Sequence, residues 1–300
     1  MNETGMHLFQ PYAKDSFFMR KGYFPLLACL LLCFSLHSPV SGFGAAAPAK
    51  ATAEPRIEDL SPAAAFALVA GKAEKGDASA MLSLGRFYEY GHGTSRNFSR
   101  ALEWYRKSAE AGLPEGYYNL GVCHEVGMGT ASDEKKAAES FAKSAELKLP
   151  LALHKMAALY FSGAGVAKDE GQAMAFLIEA GGAGLPQAAN DLGLVYMSGL
   201  YGQPKDTSVA LDWFIYGADQ GSLDSMANIA AYFDEATPVT VNLGKALKWY
   251  LIIQKLGVQN ENVNARVTAL NKKMSQQQKN AADKEAEDWL TQFRAKTAQK

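Results

Sequence analysis

The sequence predicts an all-α chain built as an array of helix-turn-helix repeats. Three observations carry that prediction. Small residues recur at a fixed interval: Gly85, Gly121, Ala157 and Gly193 are each 36 residues apart, and a degraded copy places Ala230 a further 37 along. A second register keeps the same period, because ALEWYRKSAEAG (101–112), AAESFAKSAELK (137–148), AMAFLIEAGGAG (173–184), ALDWFIYGADQG (210–221) and ALKWYLIIQKLG (246–257) superpose. Both registers have helical spacing, since Met81, Leu84 and Tyr88 are related by i, i+3, i+7, and Ala101, Tyr105 and Ala109 by i+4 steps.

The elements follow in chain order. Arg20-Lys21 precede the apolar run Pro25–Leu36, and small residues follow in HSPVSGFGAAA. That is the three-part layout of a secretory signal peptide, expected over 1–42 with cleavage after Gly42, or else after Gly44 or Ala46. Met19 offers a second start for it, so residues 1–18 are not required. The apolar run falls short of the roughly 20 residues that a membrane span needs; the alternative is an inner-membrane anchor over residues 24–36. The expected location is the periplasm or the exterior of a Gram-negative-type bacterium. Residues 43–58, rich in Ala, Pro and Lys, read as a flexible linker.

Ser61-Pro62, a cap followed by proline, opens an unpaired second helix over 61–76, whose Ala65, Val69, Ala73 and Gly76 lie 36 residues before Ala101, Tyr105, Ala109 and Gly112. Full repeats are expected over 77–112, 113–148, 149–184, 185–221 and 222–257. Gly91-x-Gly93, Gly127-x-Gly129, Gly163-x-Gly165 and Gly199-x-x-Gly202 end the first helices, where glycine takes the left-handed conformation without a steric penalty. Tyr201 is an insertion that lengthens the fourth turn. Beyond Gly257, residues 258–300 read as a helical cap, with Val263, Val267 and Leu270 on one helix and a Ser275-x-x-Gln278 capping box opening another.

Composition sets limits on function. Hydrophobic residues make up 48% and charged residues 20%, which suits a folded chain, and a formal net charge of −1 lacks the concentrated basic surface that nucleic acid demands. Cys29 and Cys33 fall in the signal segment, so Cys123 stands alone, cannot form a structural disulfide, and is expected to be buried.

With a Leu-Gly-x-x-Tyr helix, a Gly-x-Gly turn and an Ala-x-x-Trp-Tyr helix, each unit resembles a Sel1-like repeat (SLR), the longer relative of the tetratricopeptide repeat. The resemblance spans residues 61–257. It implies a right-handed α-α superhelix, or solenoid, whose first helices line a concave surface, and a role as an adaptor or scaffold in protein complexes, common among exported bacterial proteins. Ala157 and Ala230 replace glycine, and the fifth copy lacks the Gly-x-Gly turn. Some exported relatives with a cysteine pair in every repeat are linked to β-lactam chemistry; this chain has no such pairs, so that activity is not carried over.

Candidate chemistry is sparse. The five histidines never form His-x-x-x-His, and no cysteine or carboxylate cluster joins them at ligand spacing, so no metal site, cofactor or catalytic group is expected. His92 lies in a turn and His124 at the tyrosine position of the second copy. Ser132-x-x-Lys135 and Ser140-x-x-Lys143 match a penicillin-recognition motif without its partner motifs or fold. A protein or peptide partner is expected in the concave groove, on the first-helix positions not used by the core: Arg86, Glu89, Tyr118, Asn119, Glu125, His154, Phe161, Asn190, Asp191, Leu194, Met197, Asn228 and Asp234. Asn119, Asn190 and Asn228 are read as one repeat position, available either to a partner's backbone or to neighbouring repeats. Tyr118, Phe161 and Met197 are expected to be exposed apolar anchors. The leading expectation is an exported adaptor; the alternatives are an envelope hydrolase acting on β-lactams or cell-wall polymers, and a periplasmic regulator of a membrane sensor.

Overall fold

The computed structural model describes residues 60–235 and 241–298. The signal-segment and linker expectations lie outside these residues. Thirteen helices and no strands occur among the described residues. A lone helix, α1 (Pro62–Glu74), comes first, and five helix pairs follow. The pairs are α2 (Ala78–Tyr90) with α3 (Phe98–Glu110), α4 (Pro114–Val126) with α5 (Glu134–Glu146), α6 (Pro150–Ser162) with α7 (Glu170–Gly182), α8 (Pro186–Ser198) with α9 (Thr207–Asp219), and α10 (Leu223–Glu235) with α11 (Leu243–Lys255). Two further helices, α12 (Glu261–Lys273) and α13 (Gln276–Thr297), close the chain. Consecutive helices pack on one another, which makes the molecule an all-α repeat solenoid. None of the described helices is long and apolar enough to cross a membrane.

Local chemistry sets each boundary. Proline opens α4, α6 and α8, where its missing N–H costs nothing. The second helices start differently: Asn97, Asp133, Asp169, Asp206 and Asn242 each accept a backbone N–H at the N-terminus of α3, α5, α7, α9 and α11. Gly91, Gly127, Gly163 and Gly199 end the first helices at φ between 68° and 77°, the left-handed cap that a Cβ would disfavour. Ser275 and Gln278 form the expected capping box at the start of α13.

Two contacts set the packing. Within a unit, the small residue of the first helix lies under a ring of the second: a Cβ on Gly85 would stand 2.6 Å from Tyr105, and one on Gly121 would stand 2.8 Å from Phe141. Between units, the second glycine of each turn abuts the preceding second helix. Gly93 abuts Pro62 of α1, Gly129 abuts Phe98 of α3, and Gly165 abuts Glu134 of α5, each so closely that a Cβ would overlap the carbonyl. The leading half-unit therefore serves the first repeat as a seat. The turn lengthened by Tyr201 breaks this scheme, because Gly202 has nothing within 4 Å of where its Cβ would be. Tyr201 instead takes φ 53° and lays its ring on Phe161, with centroids 3.9 Å apart.

The core runs along the array and ends under the cap. Trp249 and Tyr250 of α11, with Val263, Val267 and Leu270 of α12 and Ala282, Ala286 and Leu290 of α13, form one buried cluster. The 22-residue α13 lies against α11 and covers the apolar face that the last repeat would otherwise leave in water.

Candidate partner-binding groove

The first helices α2, α4, α6, α8 and α10 form one row, and bonds between units run through it. Lys155 of α6 pairs with Glu125 of α4 at 2.8 Å. His154 Nε2 of α6 lies 2.8 Å from Asp191 Oδ2 of α8. Asn228 Nδ2 of α10 donates to Asn190 Oδ1 of α8 at 2.8 Å, and Ser225 Oγ donates to the same oxygen at 3.4 Å. These bonds join the first helices of neighbouring units along one face of the array.

The structure divides the candidate residues into two groups. Arg86, Glu89, Tyr118, Asn119, Glu125 and Leu194 are half-buried and keep part of their surface in solvent, whereas the Asp234 side chain is only 6% exposed, beside Arg266. His154, Phe161, Asn190, Asp191, Met197 and Asn228 are buried, none more than 7% exposed. The expectation of exposed anchors is therefore corrected for Phe161 and Met197: Tyr201 covers the first, and the second packs into the C-terminal core beside Phe214. Tyr118 is half-buried, its ring tilted on Phe141 at 5.4 Å, and burial with the nearby Glu125 carboxylate pushes its phenol up to about 12.

The asparagines also require a correction. Asn119 and Asn190 are 71 residues apart, one short of two periods, so they do not share a repeat position. Asn190 aligns with Tyr118 and His154, while Asn119 aligns with Lys155 and Asp191. The true register explains the bonds. A residue three before the small position, His154 or Asn190, reaches the residue two before it in the next unit, Asp191 or Asn228. These side chains satisfy one another across the junction. Asn119 turns back on its own helix, donating to the Glu115 carbonyl at 2.7 Å.

Other candidates have settled environments. Cys123 is fully buried, and burial, with the Glu89 carboxylate, pushes its thiol up to about 12, where it is a poor nucleophile. Glu89 accepts from the Tyr105 hydroxyl, and burial together with this carboxylate drives that phenol far above its ordinary range. Ser132 Oγ donates to the Glu125 carbonyl at 2.9 Å, and Ser140 Oγ to the Lys136 carbonyl at 2.8 Å. Among the described residues no group of three or more His, Cys, Asp and Glu side chains is placed to hold a metal ion.

A cleft of about 390 Å³ lies at the C-terminal end between α9, α10, α11 and α13, lined by Phe233, Trp249, Trp289 and Phe293 with lysines among them. Period-based reading missed it because α13 is not part of a repeat. The visible signal was Trp289 and Phe293, one helical turn apart on a helix rich in charged and amide side chains.

Comparison with known proteins agrees with this geometry. No curated protein matches over the sequence. A solved Sel1 repeat protein from Oxalobacter formigenes is 27% identical, with a TM-score of 0.63, covering 77% of this chain and 93% of its own. A protective antigen present in uropathogenic Escherichia coli strains, displaying an SLR fold, is 24% identical with a TM-score of 0.63. The match covers 75% of this chain but only 48% of that antigen, so this chain spans about half its length. The Sel1 repeat pattern matches residues 78–113, 114–149, 150–185, 186–222 and 223–252, more than half of the sequence, and the chain belongs to the Sel1 repeat family.

Proposed function

We propose that the chain is an exported scaffold that captures a protein segment along the inner row of its first helices. Sel1 repeats commonly serve as protein-interaction scaffolds, and their solenoid is typically non-catalytic. One observation carries the finer reading. Half-exposed groups of mixed character, Arg86, Glu89, Tyr118, Glu125 and Leu194, stand on the first helices α2, α4 and α8, and bonds through α6 tie α4 to α8. Such a surface is preorganised, so little ordering entropy opposes binding of an extended segment. The basic, apolar and small-residue succession over 1–42 supports export.

Site-specific photo-cross-linking in the native cell tests the groove. A photoreactive residue at Arg86 or Leu194 is expected to give the same discrete adduct, absent from a control at the exposed Arg106 of α3. Adducts from Arg106 alone would overturn the assignment. Export is tested by N-terminal sequencing of the protein from fractionated cells: a mature chain starting near Phe43 in the periplasm supports it, and an intact leader in the cytosol refutes it.

A further inference from the structure

The cleft at the C-terminal end has the chemistry of a binding site in its own right. Its floor is aromatic. Trp249 meets Trp289 edge to face at 5.4 Å, and Trp289 stacks on Phe293 at 5.0 Å. Its rim is cationic: Lys245 and Lys248 stand one turn apart on α11, over the rings of Phe233 at 5.0 Å and Trp249 at 5.5 Å, and Lys296 joins them from α13. Two carboxylates, Asp219 and Glu285, share the rim with the three ammonium groups. Lys296 lies 3.4 Å from Asp219, and Lys248 only 3.9 Å from Glu285. The local balance is positive in a protein of net charge −1.

The apolar surface continues outside the cleft. Ile215 of α9, on the cleft wall, is 45% exposed, and Ile178 of α7, at the same repeat position one unit earlier, is 44% exposed. Leu251, the next equivalent, is half-buried where α13 adds its cover. The strip thus runs from the cleft across two second helices. A strip that reaches from one second helix to the next suits an extended chain, at about 3.3 Å per residue, better than a single small molecule.

We propose that this cleft and its strip bind a short acidic segment of a partner protein, one that inserts an aromatic or branched apolar side chain among Trp249, Trp289 and Phe293 and places neighbouring carboxylates by Lys245 and Lys248. The volume of about 390 Å³ holds one or two large side chains, within the range of side-chain and ligand pockets. The ammonium groups over the ring faces leave their remaining donors for carboxylates. The site borrows Phe233 from α10 but shares none of the residues proposed for the inner row, Arg86, Glu89, Tyr118, Glu125 and Leu194, and stands or falls independently of them.

Selection from a random dodecapeptide display library on the purified full-length protein tests this. Enriched peptides are expected to carry an aromatic or branched apolar residue within two positions of Asp or Glu. A selected peptide, labelled and followed by fluorescence anisotropy, is expected to bind at least tenfold more weakly to the Lys245→Glu/Lys248→Glu variant, and equally to the Arg86→Glu variant. Both lysines are at least partly in solvent, so the melting temperature of the charge-reversed variant should match that of the parent; Phe293→Ala offers a second disruption that leaves the charges in place. Enrichment without acidic bias would overturn the proposal. So would equal binding to the charge-reversed variant, loss of binding on Arg86→Glu alone, or indole-3-propionate binding as tightly as the peptides.

Discussion

Adding one methyl group at Gly121 is expected to loosen the second repeat, and a compensating change is already present one unit later. A Cβ at Gly121 would stand 2.8 Å from Cδ1 and Cε1 of Phe141 and 3.0 Å from Cζ, whereas carbon atoms pack at about 3.5–4.0 Å. Either the ring or the helix must retreat by about 1 Å. Phe141 is fully buried, so the ring has no free space to enter. Overpacking of this kind costs about 1–3 kcal/mol, and replacing a mid-helix glycine by alanine returns about 1 kcal/mol. The expected net loss is about 1 kcal/mol. In the third repeat the same register places Ala157 opposite Leu177, both fully buried, so the smaller side chain makes room for the methyl group. Phe141→Leu alone should cost about 1–2 kcal/mol through the cavity it leaves. The double variant should lose less than the two singles together, by a coupling of about 1 kcal/mol. Urea unfolding followed by far-UV circular dichroism on all four proteins measures this cycle. Additive losses, or a Gly121→Ala variant more stable than the parent, would refute the steric account.

Three further outcomes are expected. Asp191→Ala should destabilise the array by about 1–3 kcal/mol, because it removes a carboxylate 2.8 Å from the His154 ring, which is 6% exposed; a loss below 1 kcal/mol in urea unfolding would show that the pair contributes little. Lys148→Gly should be neutral to stabilising, by up to about 1 kcal/mol, since Lys148 holds φ 62° where the other repeats have glycine and its ion pair with Glu179 is solvent-exposed; a drop in melting temperature would contradict this. Burial first, and then the nearby Lys136 and Arg106 charges, lower the pKa of His124 below its ordinary 6.5. The unfolded chain therefore takes up the proton first on acidification, so this contribution to stability is complete above about pH 6.5 and is lost as pH falls through the lower folded value. His124→Tyr, the residue at that position in three other repeats, should lose less melting temperature than the parent between pH 7 and pH 5, and an identical loss would refute the assignment.

The period, the helix pairs, the glycine caps, the leading half-unit and the capping box at Ser275 were all legible, because each depends on residues close together in sequence. Side-chain exposure along the first helices was not. In α6, ALHKMAALYF is apolar around most of its circumference, so periodicity could not separate the face toward α7 from the face toward α8. Phe161 illustrates the limit: its cover comes from Tyr201, an insertion one unit away whose backbone adopts a conformation unusual for tyrosine. Asn190 was misplaced for a simpler reason, since 71 residues resemble two periods of 36 until the bond to Asn228 exposes the slip. The cleft was hidden because α13 lies outside the repeat, and no internal periodicity reports where a terminal helix docks.

The second glycine of each turn has a consequence for how the array deforms. Units one to three are joined to what precedes them by backbone fitted against backbone, at Gly93, Gly129 and Gly165. That fit depends on shape and is insensitive to charge. At the joint to the fourth unit, whose turn is lengthened by Tyr201, that fit is missing, and the polar contacts of His154 with Asp191 and of Asn190 with Asn228 add to the apolar packing between units. A methyl group at Gly93, Gly129 or Gly165 would therefore push a joint open, whereas one at Gly202 would meet no neighbour.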